Sequence, residues 1–407
     1  MKLARSSFLE DQVGARQASL LPDSPVTGRG KPLPYIFPPV YSLVGCLICL
    51  LLAACQSTPT RWITLAEAEQ GRAPALSVFE DRLTAVWVGA DAAGVHHDAR
   101  QVVNGESSPV TVLPLPPTYP YDQRLYPAAD GALYLLWLDR AGDVTALYSA
   151  WIAPDLTILR TAPVSDGRAL RYSAVPDGAG GLWVAWSGGL LSEPTVYTRH
   201  IDAEGRPLDQ FRVAADAEYP ALTRTHDGLI YLFWLQAGQV LRARLEDGIP
   251  VDTESLTSAI SLAPGDRLYD VSAALDRTQA YFFWNVTRAS GAIETWYTSG
   301  EFDAAFWNAP TRFVLTLDDA QTESKPLRWA SPAVGHSDTL WVAAESAAGL
   351  GIAELRGGVV VGYEVIVPDV YLIGTPTLLI RPDQTHVLAW SSPDAPRAHL
   401  NLIDSQQ

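Results

Sequence analysis

Asp227-Gly-Leu-Ile-Tyr-Leu-Phe-Trp234 is the clearest copy of the motif that decides the fold, an apolar strand that usually follows an Asp-led turn and usually ends in tryptophan. Six further copies occur, and their last residues are Trp87, Trp137, Trp186, Trp284, Ala344 and Trp390. Successive copies lie 46 to 60 residues apart, so a unit of roughly fifty residues repeats along the chain. Repeats of that period are typical of propellers and solenoids.

Each repeat has the strand content of a propeller blade. The core strand, such as residues 230–234, is continuously apolar, which indicates a strand that is covered on both faces. A more polar strand follows, such as residues 239–245, and then a third, such as residues 259–263. A strand of small residues, such as residues 219–223, precedes the core strand. Turn residues separate these runs, so each unit contains four strands.

The two ends of the repeat region predict that the ring is closed. The last repeat stops one strand short after residues 397–402, and the missing strand occurs at residues 61–66, before the first repeat. Pairing of these segments would remove the exposed edges of an open array. We therefore predict an all-β fold, a single closed propeller of seven four-stranded blades in residues 61–407. The longest interval between copies predicts an insertion near residues 301–324.

The N-terminal region predicts an export signal. Residues 42–54 are apolar, but this run is shorter than the ~20 residues of a membrane-spanning helix. It ends in Leu52-Ala-Ala-Cys55, which resembles the lipobox of bacterial lipoproteins. The resemblance implies a signal peptide over residues 1–54, lipidation of Cys55 and a tether over residues 55–60. An ordinary signal peptide is the alternative, and the long, Pro-rich residues 1–40 also suggest a start downstream of Met1.

Charge and cysteine content narrow the classes of partner. The formal net charge is −16, and removal of the predicted signal peptide, with five basic and three acidic residues, makes it −18. Such a surface repels nucleic acid and anionic headgroups, so we expect no nucleic-acid partner. Cys55 would be the only remaining cysteine, which excludes a disulfide framework. We expect a monomer held by its lipid anchor on the outer side of a cell membrane or an outer membrane.

The repeat resembles the BNR-type repeats of sialidase-like propellers. The similar pattern is Pro220-Ala-Leu, then residues 227–234, then a strand that bears Arg and Tyr. Catalytic sialidases also have Asp boxes, Ser-x-Asp-x-Gly-x-Thr-Trp, and no such match occurs here. Their three arginines, Tyr–Glu pair and Asp acid/base cannot be assigned residue by residue to this sequence. We therefore favour a non-catalytic module that binds a glycan or a protein. The alternatives are a diverged sialidase-like glycoside hydrolase or lyase, and an envelope assembly scaffold.

Candidate ligand-binding residues lie where each innermost strand begins, since propellers bind ligands at the mouth of the central channel. These positions fall 14 to 16 residues before the end of each core strand, and they are Arg72, Tyr121, Asp122, Arg171, Tyr172, Tyr219, Tyr269, Asp270 and Trp329. Aromatic rings could stack on sugars, and guanidinium groups could hold a carboxylate. The alternative is that the rings wedge between blades and the arginines pair with local acids.

One short cluster contains residue types that bind metals, His96-His97-Asp98. Adjacent residues of a strand point to opposite faces, so the two histidines do not easily share one ion. We therefore expect neither a metal site nor a cofactor.

Overall fold

A computed structural model describes residues 62–404, except 69–72, 93, 117–118, 142, 191, 258–259, 261, 277, 302–306, 316–324, 335–338 and 395–396. The described residues belong to one compact unit, Pro59–Gln407. The predicted signal peptide, Cys55, the tether and Arg72 lie outside the described residues. In the described ranges the one helical segment is a single 3-10 turn, Ala129–Gly131, so no helix there is long and apolar enough to cross a membrane.

The described part of the chain is built from β-strands. The first fourteen are β1 (Trp62–Ala68), β2 (Ala75–Phe79), β3 (Arg82–Asp91), β4 (Gly94–Val103), β5 (Glu106–Ser107), β6 (Thr111–Val112), β7 (Pro120–Pro127), β8 (Leu133–Ala141), β9 (Val144–Ile152), β10 (Ile158–Pro163), β11 (Ala169–Pro176), β12 (Leu182–Leu190), β13 (Glu193–Ile201) and β14 (Pro207–Ala215).

The remaining strands follow the same meander. They are β15 (Ala217–Arg224), β16 (Ile230–Gln236), β17 (Gln239–Glu246), β18 (Ile249–Ser255), β19 (Arg267–Leu275), β20 (Gln279–Thr287), β21 (Ile293–Glu301), β22 (Thr311–Arg312), β23 (Val314–Leu315), β24 (Lys325–Pro326), β25 (Arg328–Val334), β26 (Leu340–Ser346), β27 (Gly349–Arg356), β28 (Val359–Pro368), β29 (Thr377–Ile380), β30 (His386–Asp394) and β31 (Arg397–Asp404).

These strands form a β-propeller of antiparallel sheets. Six sheets have four strands each: β7 to β10, β11 to β14, β15 to β18, β19 to β22, β25 to β28, and β29, β30, β31 and β1. A five-stranded sheet contains β2 to β6, and a two-stranded sheet contains β23 and β24. Neighbouring sheets contact each other through their first strands, from β2 and β7 round to β29 and back to β2. The first strands therefore surround a central channel.

The prediction of seven four-stranded blades is wrong, because six sheets have that number of strands. In the five-stranded sheet, β5 and β6 both pair with β4, at Val103 and Asp98 respectively. Pro109 lies between β5 and β6 and has no amide proton to donate to the ladder, which divides the outer strand into two pieces. Strand β23 lies within residues 301–324, where the sequence predicted an insertion, and β24 begins directly after that range.

The predicted closure by the N-terminal strand is confirmed at the level of strand pairing. Strand β1 is antiparallel to β31, with Ile63 opposite Leu402. The first described strand of the chain is therefore the outermost strand of the last sheet. Leu65 of β1 is buried in a core cluster that also contains Leu76 and Trp87 of the five-stranded sheet and Val387 of β30. This packing joins the two ends of the ring.

The recurring tryptophan serves packing. Trp87, Trp186, Trp284 and Trp390 are among the largest fully buried side chains, and Trp186 stacks on Tyr197 of the next strand at 5.7 Å. In one copy of the motif, Ala344 occupies the position of the tryptophan, and the residue opposite Ala344 on the next strand is Gly351. Tyr363 of the outer strand leans over Gly351 and donates to the Ala344 carbonyl at 3.2 Å. An aromatic ring from another strand therefore replaces the missing indole.

Candidate functional site

The innermost strands share an irregularity at the end where the sequence placed the ligand site. A β-bulge interrupts five of these strands near their first residues: at 121–124 in β7, 169–171 in β11, 218–221 in β15, 268–270 in β19 and 328–331 in β25. A bulge re-aims the side chains on either side of it. Thus each strand can present a side chain to the channel mouth that a regular strand would turn away.

Three of these bulges contain a non-glycine residue with a positive φ angle. Asp122, Tyr219 and Trp329 have φ angles of 51°, 56° and 58°. A left-handed conformation is uncommon for a residue with a side chain, and for a bulky ring it is an outlier that costs about 1–3 kcal/mol. Such strain concentrates at functional sites, where the surrounding structure holds it. Three of the residues with a positive φ angle therefore lie at the channel mouth, near the starts of β7, β15 and β25.

A cavity of about 340 Å³ opens among these bulges, and we call it the central cavity. It is lined by the first strands of five sheets, β2, β7, β19, β25 and β29. Its polar side chains include Asp122, Arg124, Tyr269, Asp270 and Thr375. The volume lies within the range of about 300–1,000 Å³ that is usual for small-molecule sites.

Two carboxylates and an arginine form the charged centre of this cavity. The Arg124 Nη2 lies 3.7 Å from the Asp122 Oδ1 and 4.0 Å from the Asp270 Oδ1. The guanidinium carbon also lies 5.0 Å from the centre of the Tyr172 ring. Burial alone lowers the pKa of Arg124, but Asp122 and other nearby groups raise it well above its usual value. We call Asp122, Arg124 and Asp270 the carboxylate–arginine cluster.

Asp270 differs from an ordinary surface carboxylate. Its Oδ1 accepts a hydrogen bond from the Val271 amide at 2.9 Å, and its Oδ2 accepts one from the Thr375 hydroxyl at 3.3 Å. Burial raises the pKa of Asp270, and the charge of Arg124 offsets only part of that shift. Each carboxylate oxygen has two lone pairs, so Asp270 can also accept a hydrogen bond from a ligand hydroxyl.

Arg171 and Tyr219 lie beside the central cavity and line a second cavity of about 470 Å³. The Arg171 guanidinium lies over the Tyr219 ring, 4.6 Å from its centre, and donates to the Tyr269 carbonyl. The Tyr219 hydroxyl donates to the Leu268 carbonyl at 3.2 Å. These contacts connect the starts of β11, β15 and β19, so the two residues support Tyr269 as well as lining a cavity.

The other predicted residues make mainly internal contacts. Tyr172 is 2% exposed, and its hydroxyl donates to the Asp122 and Leu136 carbonyls. The Tyr121 hydroxyl donates to the Thr145 side chain at 3.3 Å. Trp329 is 8% exposed and packs edge-on against Tyr269 at 4.9 Å. These contacts fit the alternative in which the rings wedge between blades.

One polar residue that lines the central cavity, Thr375, was missed in the sequence analysis. Thr375 lies 15 residues before Trp390, which is the spacing used for the other blades, but only aromatic, arginine and aspartate residues were selected there. The spacing from Trp390 was the available signal for Thr375.

No group of three or more His, Cys, Asp and Glu side chains in the described ranges is arranged to hold a metal ion. His96 and His97 lie on opposite faces of β4, as the sequence predicted. The His96 Nε2 is 3.2 Å from the Asp98 Oδ1, whereas His97 is buried with its ring edge-on to Trp137. The pair therefore does not converge on one ion.

Comparison with known proteins shows a likeness of fold. No protein-family profile and no curated protein matches the chain, so the resemblance to BNR-type repeats stays a prediction. The crystal structure of the polysaccharide lyase Uly1 is similar, with a TM-score of 0.51 and 9% identity over 84% of this chain and 91% of that one. The propeller is thus similar in fold to a glycan-processing enzyme.

Two further solved structures are more distant. A protein of unknown function from Dyadobacter fermentans DSM 18053 has a TM-score of 0.48 and 9% identity over 70% of this chain and 95% of that one. A GH43_1 enzyme from Xanthomonas citri has a TM-score of 0.37 and 14% identity over 65% of this chain and 97% of that one. Identities this low relate folds and leave function to the chain's own site.

Proposed function

We propose that this propeller binds a glycan in the central cavity. The observation that carries the proposal is the carboxylate–arginine cluster, which lies in one cavity with Tyr269 and Thr375. Sugar hydroxyls both donate and accept hydrogen bonds, and this set offers carboxylate acceptors, guanidinium donors and a hydroxyl. The Tyr269 ring supplies an apolar surface for a sugar face. The fold likeness to a polysaccharide lyase agrees with this class of ligand.

The charges of the cavity favour a neutral sugar over an acidic one. Arg124 already lies between two carboxylates, and Arg171 already donates to the Tyr269 carbonyl. The sequence had suggested that such guanidinium groups could hold the carboxylate of an acidic sugar. Both guanidinium groups already interact with protein oxygens, which disfavours that role. The chain as a whole is also acidic, with a net charge of −16, and repels polyanions.

We expect replacement of Asp270 by asparagine to weaken glycan binding by about tenfold to a hundredfold, since hydrogen bonds to charged groups contribute about 1.5–3 kcal/mol. The measurement is binding of the purified protein to a glycan array, followed by calorimetric titration of the best neutral glycan. Tyr269→Ala should lose binding as well, because the stacking surface is removed.

Asp209→Asn is the matched control, because Asp209 is exposed on β14, the outermost strand of its sheet. Its binding should equal that of the wild type. Failure of the wild type to bind any array glycan, or full binding by Asp270→Asn, would refute the proposal. Release of new reducing ends by the wild type would instead support the alternative of a diverged glycoside hydrolase.

We also propose that a lipid on Cys55 anchors the propeller, as a monomer, to the outer side of a cell membrane or an outer membrane. The support is the Leu52-Ala-Ala-Cys55 stretch after an apolar run. Two or more acyl chains give stable anchoring, whereas a single chain does not. Cys55→Ser is expected to move the protein from the membrane fraction to the soluble or secreted fraction.

Cys49→Ser is the control for this experiment, because Cys49 would be removed with the signal peptide. Immunoblots of fractionated cells and mass spectrometry of the mature N-terminus provide the readouts. Membrane association that persists in Cys55→Ser would contradict the anchor.

A further inference from the structure

We propose that the glycan site continues from the central cavity into the second cavity, so that the ligand is an oligosaccharide with successive sugars in the two cavities. This inference rests on the proposed glycan binding and adds the length and direction of the ligand. The second cavity, of about 470 Å³, is itself as large as a small-molecule site.

The two cavities are lined by neighbouring residues at the bulge of β19. Leu268 lines the second cavity and the next residue, Tyr269, lines the central cavity. Consecutive residues are 3.8 Å apart along the backbone, less than the length of one sugar ring. Arg171, which lines the second cavity, donates to the carbonyl of Tyr269. A saccharide chain that leaves the central cavity past Tyr269 therefore has less than one sugar length of backbone to pass before it reaches a residue of the second cavity.

The second cavity has the mixed surface that a sugar requires. Leu262 and Ile260 form an apolar wall, and Tyr219 supplies an aromatic ring. The turn between β16 and β17 contributes Ala237 and Gly238, whose small size leaves the cavity open. A sugar presents one apolar face and a rim of hydroxyl groups, so an apolar wall beside polar groups matches both.

The polar groups of this cavity include a guanidinium that is available to a ligand. Arg267 is exposed, and its side chain makes no hydrogen bond or ion pair with any residue that the structure describes. The neighbouring Asp266 is instead paired with Arg288, with 2.5 Å between Oδ2 and Nη1. Exposed carboxylates of Asp216 and Glu218 complete the rim. Arg267 can therefore donate to the hydroxyls of a second or third sugar at no cost to an internal contact.

The experiment is calorimetric titration of the full-length protein with cello-, xylo- and manno-oligosaccharides of one to five sugars. We expect affinity to rise about tenfold or more between one and three sugars, as the second cavity is filled, and then to level off. Arg267→Ala should reduce the affinity for the trisaccharide about tenfold and leave that for the monosaccharide unchanged. Asp270→Asn should weaken both.

Arg160→Ala is the matched control, since Arg160 is exposed on β10, the outermost strand of its sheet. Equal affinities for one and three sugars, or an unchanged trisaccharide affinity in Arg267→Ala, would overturn the extended site while leaving the central one. Absence of binding by every saccharide would overturn the proposed function and this inference together.

Discussion

Replacement of Leu65 by alanine is expected to lower the free energy of unfolding by about 2–5 kcal/mol, the range for truncation of a buried leucine. Leu65 lies on β1 and is 2% exposed. It packs against Trp87 of the five-stranded sheet and Val387 of the last sheet, and its carbonyl accepts a hydrogen bond from Arg100 at 3.2 Å. The cavity that alanine leaves would therefore open between the first and last sheets of the ring.

Thr64→Ala is the control for Leu65→Ala, because Thr64 is the exposed neighbour on the same strand. Surface changes of this kind usually stay within about 0.5 kcal/mol of zero. Urea-induced unfolding followed by tryptophan fluorescence gives both values. Equal stabilities of the two variants would show that packing of β1 does not hold the ring closed.

Much of the fold could be predicted because every sheet of a propeller has the same arrangement of buried and exposed strands. Every copy of the motif became the second strand of a sheet, from Trp87 in β3 to Trp390 in β30. A strand buried on both faces must be apolar throughout, and that pattern is visible without any tertiary information. The pairing of β1 with β31 could also be predicted, since the strand missing from one end was present at the other.

The outer strands were less predictable, because they are exposed and their residues are less constrained. Pro109 was a visible signal that the outer strand of the first repeat is interrupted, and it explains the five-stranded sheet. The replacement of the indole at Ala344 by Tyr363 had no comparable signal. It depends on a contact between residues that are not adjacent in the strand pattern, over a glycine at position 351.

The sequence spacing selected residues at the starts of the first strands, but it did not predict the orientation of their side chains. Spacing from the tryptophans placed Asp122, Asp270 and Tyr269 at the channel mouth, where they line one cavity. The same spacing selected Tyr172, whose ring is buried between sheets. A bulge determines which of two adjacent residues faces the channel. Apart from bulges that contain glycine, bulges have no reliable sequence signature. Positional rules therefore find the mouth of a propeller, and the local backbone selects the residues that line it.

Acidification is expected to destabilise the protein through His97, by about 3 kcal/mol between pH 7 and pH 4. Burial, with a smaller effect from His96, lowers the pKa of His97 from 6.5 to about 4. Neither ring nitrogen has a hydrogen-bond partner among the described residues. Below pH 6.5, His97 binds a proton in the unfolded chain, whereas in the folded protein it remains neutral until about pH 4. The unfolded state therefore gains stability as the pH falls, and the folded state loses it.

His97→Phe should remove this dependence, because phenylalanine keeps an aromatic edge near Trp137 and carries no proton. The free energy of unfolding is measured in urea for both proteins between pH 7 and pH 4. The value for the wild type minus that for the variant is expected to fall by about 3 kcal/mol as the pH falls over this range. Taking this difference cancels the contributions of the other titrating groups to the pH dependence. These groups include His386, because burial also lowers the pKa of that residue. His226→Phe is the control, since that histidine is exposed and should leave the pH profile of the wild type unchanged. Parallel profiles for wild type and His97→Phe would show that His97 is protonated equally in both states, and that its burial has no effect on acid stability.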